Sequence, residues 1–167
     1  LPIYANKKLL GGTCRSLKPK GLRYLTFKLV EDNTPMIFGL DRIDPNKKIY
    51  VTEGPIDSLF LPNSIAVTGT AFNKLNAILP DLNIPPDQVV VIIDNQPRNK
   101  EVVAVVKKMI DQGFTTVIWD TPDTKGKDIN AMITDHGIKP IDVFHTIKRC
   151  SFRGMEARIK FAIWKKC

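Results

Sequence analysis

Ile49-Tyr50-Val51-Thr52-Glu53-Gly54-Pro55-Ile56-Asp57-Ser58-Leu59 is the stretch on which the reading of this chain turns. Residues 49–52 form a short apolar run that reads as a strand. It stops on an acid and a Gly-Pro turn, after which 57–61 reads as a short helix. Working outward, further apolar runs at 64–68, 89–93 and 116–119 read as strands. Helical segments are expected at 71–79, 99–112, 128–134, 141–148 and 155–165. The clearest is 99–112, with Val102, Val106, Met109 and Ile110 on one face and Gly113 placed to end it, while Pro140 suits the first turn of the helix at 141–148. Strands alternating with helices at such short intervals predict an α/β fold, a parallel four-stranded sheet flanked by helices on both faces. Residues 9–40, broken by Gly11-Gly12, Pro19 and Gly21, read instead as small antiparallel strands and turns, separated from the rest by Asp44-Pro45-Asn46.

Ligands of parallel α/β sheets sit outside the carboxyl ends of the strands. Three of the expected strands end in acid: Glu53, Asp94, and Asp120 with Asp123 and Asp128 beyond it. Such hard oxygen donors suit Mg²⁺, which takes carboxylates, water and phosphate. They suit zinc poorly, since His136 and His145 are the only imidazoles. Asp57 and Asp128 have a second reading as caps of the helices that follow them. Glu53, standing before Gly54-Pro55, has less need of one.

A net charge of +8 points either to an anionic partner such as nucleic acid or to a merely basic soluble domain. No run approaches the roughly 18 apolar residues of a membrane span. Cys14, Cys150 and Cys167 are scattered and form no Cys-x-x-Cys pair, so neither a zinc ribbon nor a disulfide framework is expected, and reduced thiols in a cytoplasm fit best. The opening Leu1-Pro2-Ile3-Tyr4 has no initiator Met and no signal-peptide pattern, as a piece of a longer protein would. A Gly-x-x-x-x-Gly-Lys-Ser/Thr loop is absent, which excludes a P-loop ATPase in this chain.

Four motifs, in order, carry a family resemblance. Val51-Thr52-Glu53-Gly54-Pro55-Ile56-Asp57 resembles the glutamate motif of the Toprim fold. Val67-Thr68-Gly69-Thr70-Ala71 is similar to the Gly-Thr-Ala loop of primases, Val91-Ile92-Ile93-Asp94 to the strand before the Asp-x-Asp motif, and Lys125-Gly126-Lys127-Asp128-Ile129-Asn130 to the late Gly-Lys-Asp-x-Asp loop. Upstream, Gly11-Gly12-Thr13-Cys14-Arg15 and Gly21-Leu22-Arg23-Tyr24-Leu25 resemble the small basic subdomain that precedes Toprim in bacterial and phage primases. The block from Asp94 to Glu101 looks like the T-even phage type.

The resemblance implies a DNA primase catalytic part, which makes short RNA primers on single-stranded DNA from ribonucleoside triphosphates with Mg²⁺ or Mn²⁺. It implies that Glu53 and Asp94 are catalytic, that these two with Asp128 and Asp57 hold metal, and that Arg15, Arg23, Arg98, Lys100, Lys125 and Lys127 contact nucleotide or nucleic acid. Three units follow from it: a small basic β-rich subdomain (1–46), the Toprim domain (47–136) and C-terminal helices (137–167). A replicative helicase and the zinc-binding domain of a full-length primase are the implied partners, in a host cytoplasm, with no membrane. The sequence departs from the pattern at Gln96 and Asn130, where the family has acids, which implies that one of two metal sites is weak or is completed by nucleotide phosphates. Toprim nucleases and a non-catalytic single-strand-binding module remain as alternatives. A topoisomerase does not, because Tyr4, Tyr24 and Tyr50 all precede or lie within the first Toprim strand.

Overall fold

A computed structural model describes residues 1–16, 24–31, 34–67, 72, 75–119 and 124–167. Arg23, the loop residues Thr68, Gly69, Thr70 and Ala71, and the acids Asp120 and Asp123 lie outside the described residues.

Two sheets carry the chain. The smaller has strand order β1-β2-β3, formed by Pro2–Ala5, Lys8–Arg15 and Tyr24–Lys28, all antiparallel. Gly11, with φ at +155°, is required where β2 meets β3: a Cβ there would collide with the Phe27 carbonyl oxygen. The larger sheet is built on β5 (Ile49–Thr52), β6 (Ser64–Val67), β7 (Val89–Ile92) and β8 (Thr115–Val117), which pair in parallel. Two short antiparallel strands, β4 (Ile37–Phe38) and β9 (Ser151–Phe152), complete the order β4-β6-β5-β7-β8-β9. Every residue of β5, β6 and β7 is buried, as expected when helices cover both faces of a parallel sheet. Burying one such Val or Ile contributes about 1.5–3 kcal/mol, so a charge at Val91, in the central strand, would break the sheet.

The helices are α1 (Pro55–Leu59), α2 (Leu75–Ile78), α3 (Lys100–Asp111), α4 (Ile129–Thr134), α5 (Pro140–Arg149) and α6 (Gly154–Trp164). They fall close to the segments expected from periodicity. α1 starts two residues early, because Pro55 takes the first position, where its missing N–H costs nothing. Strands β1 and β9 were not expected from the sequence; β9, at two residues, is too short to show a period. Strand β4 comes from the broken region upstream of Asp44, yet it pairs with β6 in the larger sheet because Ile37 and Phe38 are both buried there. Helix α6 is not simply amphipathic: Ala157, Phe161 and Trp164 are buried while Met155, Ile159 and Ile163 stay exposed. No described helix is long and apolar enough to cross a membrane.

Strand order settles where a ligand can sit. From β5 the chain steps to β6 on one side; from β7 it steps to β8 on the other. With right-handed crossovers, the connections on either side of the β5/β7 seam leave in opposite directions and open a crevice at the carboxyl ends of these two strands. Thr52 is paired with Ile92 across that seam, so Glu53 and Asp94 emerge side by side at the crevice.

Candidate active site

Glu53, Asp57, Asp94 and Asp128 line one small cleft at this switch point, with Trp119 and Ile129 among its walls. Each acid arrives on a different support. Glu53 leaves β5 immediately before Gly54, whose lack of a side chain matters: a Cβ would lie 2.7 Å from Asp57 Oδ2. Asp57 lies in the first turn of α1 but does not cap it; its Oδ1 accepts from the Asn130 backbone N–H at 2.8 Å, joining α1 to α4. Asp128 is a helix cap as well as a cleft residue, since its Oδ1 accepts from the Ala131 N–H at 2.7 Å. The turn before it needs Gly126, with φ at +98° and the Met132 backbone nitrogen 2.9 Å from where a Cβ would stand.

Burial first, and the crowding of like charges after it, show in the proton affinities. Burial pushes the Asp94 carboxyl up to about 7; Glu53 and Asp128 add to the rise and Lys127 opposes it. Asp57 is pushed up to about 6, again chiefly by burial, with the Asn130 N–H and Arg15 holding it down and Asp128 raising it. Glu53 is raised in the same way, by partial burial of the carboxyl and then by Asp128 against Lys127. Lys127 pairs with Asp128 Oδ2 at 3.2 Å. Of the cations expected here, Lys127 and Arg15 therefore act on the carboxylates, whereas Arg98, Lys100 and Lys125 are exposed and are not among the residues that line the cleft.

A divalent cation fits this donor set. Among the described residues no three acidic, His or Cys side chains already converge as a closed metal cage. Mg²⁺ asks for less, one or two carboxylates plus water and substrate phosphate, and a cation would relieve the repulsion that raises Asp94. Glu53, Asp94, Asp128 and Asp57, which line the cleft together, are the residues that could hold it. Gln96 donates from Nε2 to Asp94 Oδ2 at 3.1 Å and accepts from Asn99 Nδ2 at 3.2 Å. An acid at this position would set a second charge against Asp94. Gln96→Glu is accordingly expected to tighten Mn²⁺ binding without nucleotide by about tenfold, read by calorimetric titration; equal affinities would place residue 96 outside the metal site.

Sequence reasoning missed three residues here. Trp119 was taken as a strand end, but β8 stops at Val117 and the indole Nε1 donates to the Ile93 carbonyl at 2.8 Å. Asn95 sends its backbone N–H to the Lys127 carbonyl at 2.6 Å and accepts from Trp164 Nε1 at 3.1 Å. The clue available in sequence was slight: Trp is the one indole donor, and the chain has 2.

No protein-family model matches the chain. Over 170 residues it is 33% identical to the DNA primase of Enterobacteria phage T4, an alignment covering 99% of this chain and 47% of that protein. Among solved structures, the E. coli primase catalytic core superposes with a TM-score of 0.58 at 16% identity, over 90% of this chain and 51% of that one. A DNA primase domain from Pseudomonas aeruginosa gives the same TM-score of 0.58 and 16% identity, over 90% and 50%. At that identity the two bacterial structures show the shared fold alone, and the chain spans about half the length of each of these relatives. The chain is thus similar to the phage T4 DNA primase along nearly its whole length and shares the fold of the two bacterial primase structures.

Proposed function

We propose that this chain is the catalytic part of a DNA primase, which joins ribonucleotides into short primers on single-stranded DNA. The observation that carries the reading is the convergence of Glu53, Asp57, Asp94 and Asp128, with Arg15 and Lys127 in electrostatic reach, at the switch point of a chain homologous to primases. Glu53 and Asp94, helped by Asp128 and Asp57, would hold Mg²⁺ or Mn²⁺, which would supply Lewis-acid polarisation of the phosphoryl group. Glu53, whose proton affinity is raised, takes the proton from the attacking hydroxyl. Asp57 and Asp128 each commit one oxygen to the backbone, so their contribution is to fix the cleft as much as to ligate.

Cations around the cleft position phosphates. Arg15, Arg98, Lys100, Lys125 and Lys127 take this part, together with Arg23. Arg15→Ala is expected to weaken binding of any single strand and to reduce the slope of log affinity against log salt by about one. Anisotropy over a salt series measures it, and a loss confined to one DNA sequence would contradict a phosphate contact.

The same reading divides the chain by role into a basic subdomain at 1–46, Toprim at 47–136 and C-terminal helices at 137–167. It takes the replicative helicase and a zinc-binding domain as partners, in the host cytoplasm. Incubation with labelled ribonucleotides, single-stranded DNA and Mg²⁺ tests the activity directly. Labelled oligomers are expected; cleavage of the template would mean a Toprim nuclease, and binding with neither would mean a non-catalytic module.

A further inference from the structure

Asp94 stands between two indole hydrogen bonds that come from distant parts of the chain. Trp119 donates to the Ile93 carbonyl at 2.8 Å, on one side of it; Trp164, at the end of α6, donates to Asn95 Oδ1 at 3.1 Å, on the other. Both tryptophans of the chain are thus spent on the residues flanking one carboxylate. Both are nearly buried, 5% and 6% exposed, so each N–H needs an acceptor, and the acceptor in each case adjoins Asp94.

Among the described residues, a small set of further bonds holds the loop that carries Asp94. Within it, the Gln96 N–H bonds the Asp94 carbonyl at 2.9 Å and the Asn99 N–H bonds the Gln96 carbonyl at 3.0 Å. Across to the Asp128 turn runs the Asn95 N–H to the Lys127 carbonyl. Two further anchors, among the described residues, come from the end of α6 and just beyond it: the Trp164 indole, and the Lys166 N–H, which bonds the Pro97 carbonyl at 2.8 Å. Helix α6 is itself seated in the core through its buried Ala157, Phe161 and Trp164.

We propose that Trp164, acting through Asn95, is a positioning residue that sets the Asp94 carboxylate for divalent-metal binding, with Trp119 bracing the opposite side. The inference rests on the reading of Asp94 as a metal ligand. A loop free to move by a fraction of an ångström spreads its carboxylate over positions the cation cannot use. The Trp164 bond to Asn95 is one of the bonds that restrain it, the one made by a side chain next to Asp94.

A double-mutant cycle on the whole chain tests this, with Mn²⁺ affinity read by calorimetry and folding by thermal melting. Trp164→Phe keeps the aromatic packing and removes the donor; Asn95→Ala, in a half-buried loop, removes the acceptor and leaves the core alone. Each is expected to weaken Mn²⁺ binding about fivefold, the worth of one hydrogen bond, and the double variant no more than either single one. Unchanged Mn²⁺ affinity in both single variants, even with lower melting temperatures, would reduce the contact to a packing role and overturn the inference alone. Losses that multiply in the double variant would overturn it too, since the pair would not act through a shared bond. Failure of the unmutated chain to take up Mn²⁺ would remove the metal reading itself, and this inference with it.

Discussion

Glu53→Gln is expected to lower primer synthesis by about a thousandfold while leaving the protein folded. The substitution keeps the shape of the side chain and removes both the charge that holds a cation and the group that accepts a proton; general-base loss alone is worth about 10²–10⁴ in rate. Two features make Glu53 the sensitive position. It emerges directly from β5, a fully buried strand, so its backbone is placed rigidly. Its carboxyl, raised by burial and by Asp128, is poised nearer neutrality than an exposed glutamate would be. Dinucleotide formation from labelled ribonucleotides, beside a thermal melt of the same sample, checks the prediction. Activity within about threefold of the unmutated chain would take Glu53 out of the chemistry.

Asp94→Asn should act in opposite directions on activity and stability. Metal binding and synthesis should fall by at least about a hundredfold, because the amide offers only a neutral oxygen. Stability of the metal-free protein should rise at pH 8. The carboxyl moves from its ordinary 3.8 up to about 7 on folding, so the folded state binds the proton more tightly. Its contribution is fully present below about pH 3.8 and is lost as pH climbs through about 7, leaving a net penalty at pH 8. Discounted for solvent at a partly exposed group, relief of that penalty is about 1–2 kcal/mol, or about 3–6 °C in melting temperature. At pH 5 the gain should shrink to about two-fifths of its pH 8 value, and it should vanish below about pH 3.8. A variant less stable than the parent at pH 8 would mean that Asp94 is held by partners stronger than the repulsion around it.

The acids of the site were legible in the sequence to different degrees. Glu53 and Asp94 could be picked out because each directly follows a short apolar strand, and the ends of parallel strands are where ligands sit. Asp128 was open between cap and ligand, and the structure makes it a cap that also faces the cleft. Asp57 was open in the same way, but it caps nothing on its own helix; its carboxylate is claimed by Asn130, 73 residues away, a contact no local pattern encodes. Gln96 read as a lost ligand, and its amide proves to be bonded to Asp94 itself.

Periodicity and residue chemistry are properties of neighbours in the chain, so the sequence alone determined the things that neighbours decide. These are the alternation of buried strands with helices, the ends of α3, the proline start of α5, and the acids that follow β5 and β7. Strand order is not such a property. Which strand lies beside which follows from pairing between segments far apart, and only the order β6-β5-β7-β8 turns two separate strand ends into one crevice. The same holds for the arrival of Arg15 near Asp57, for β4 and β9 at the sheet edges, and for the indole bonds at sequence separations of 26 and 69 that brace Asp94. Such contacts depend on the closing of long loops, whose entropic cost is met by burial across the whole core rather than by any local preference, and so only the tertiary structure could place them.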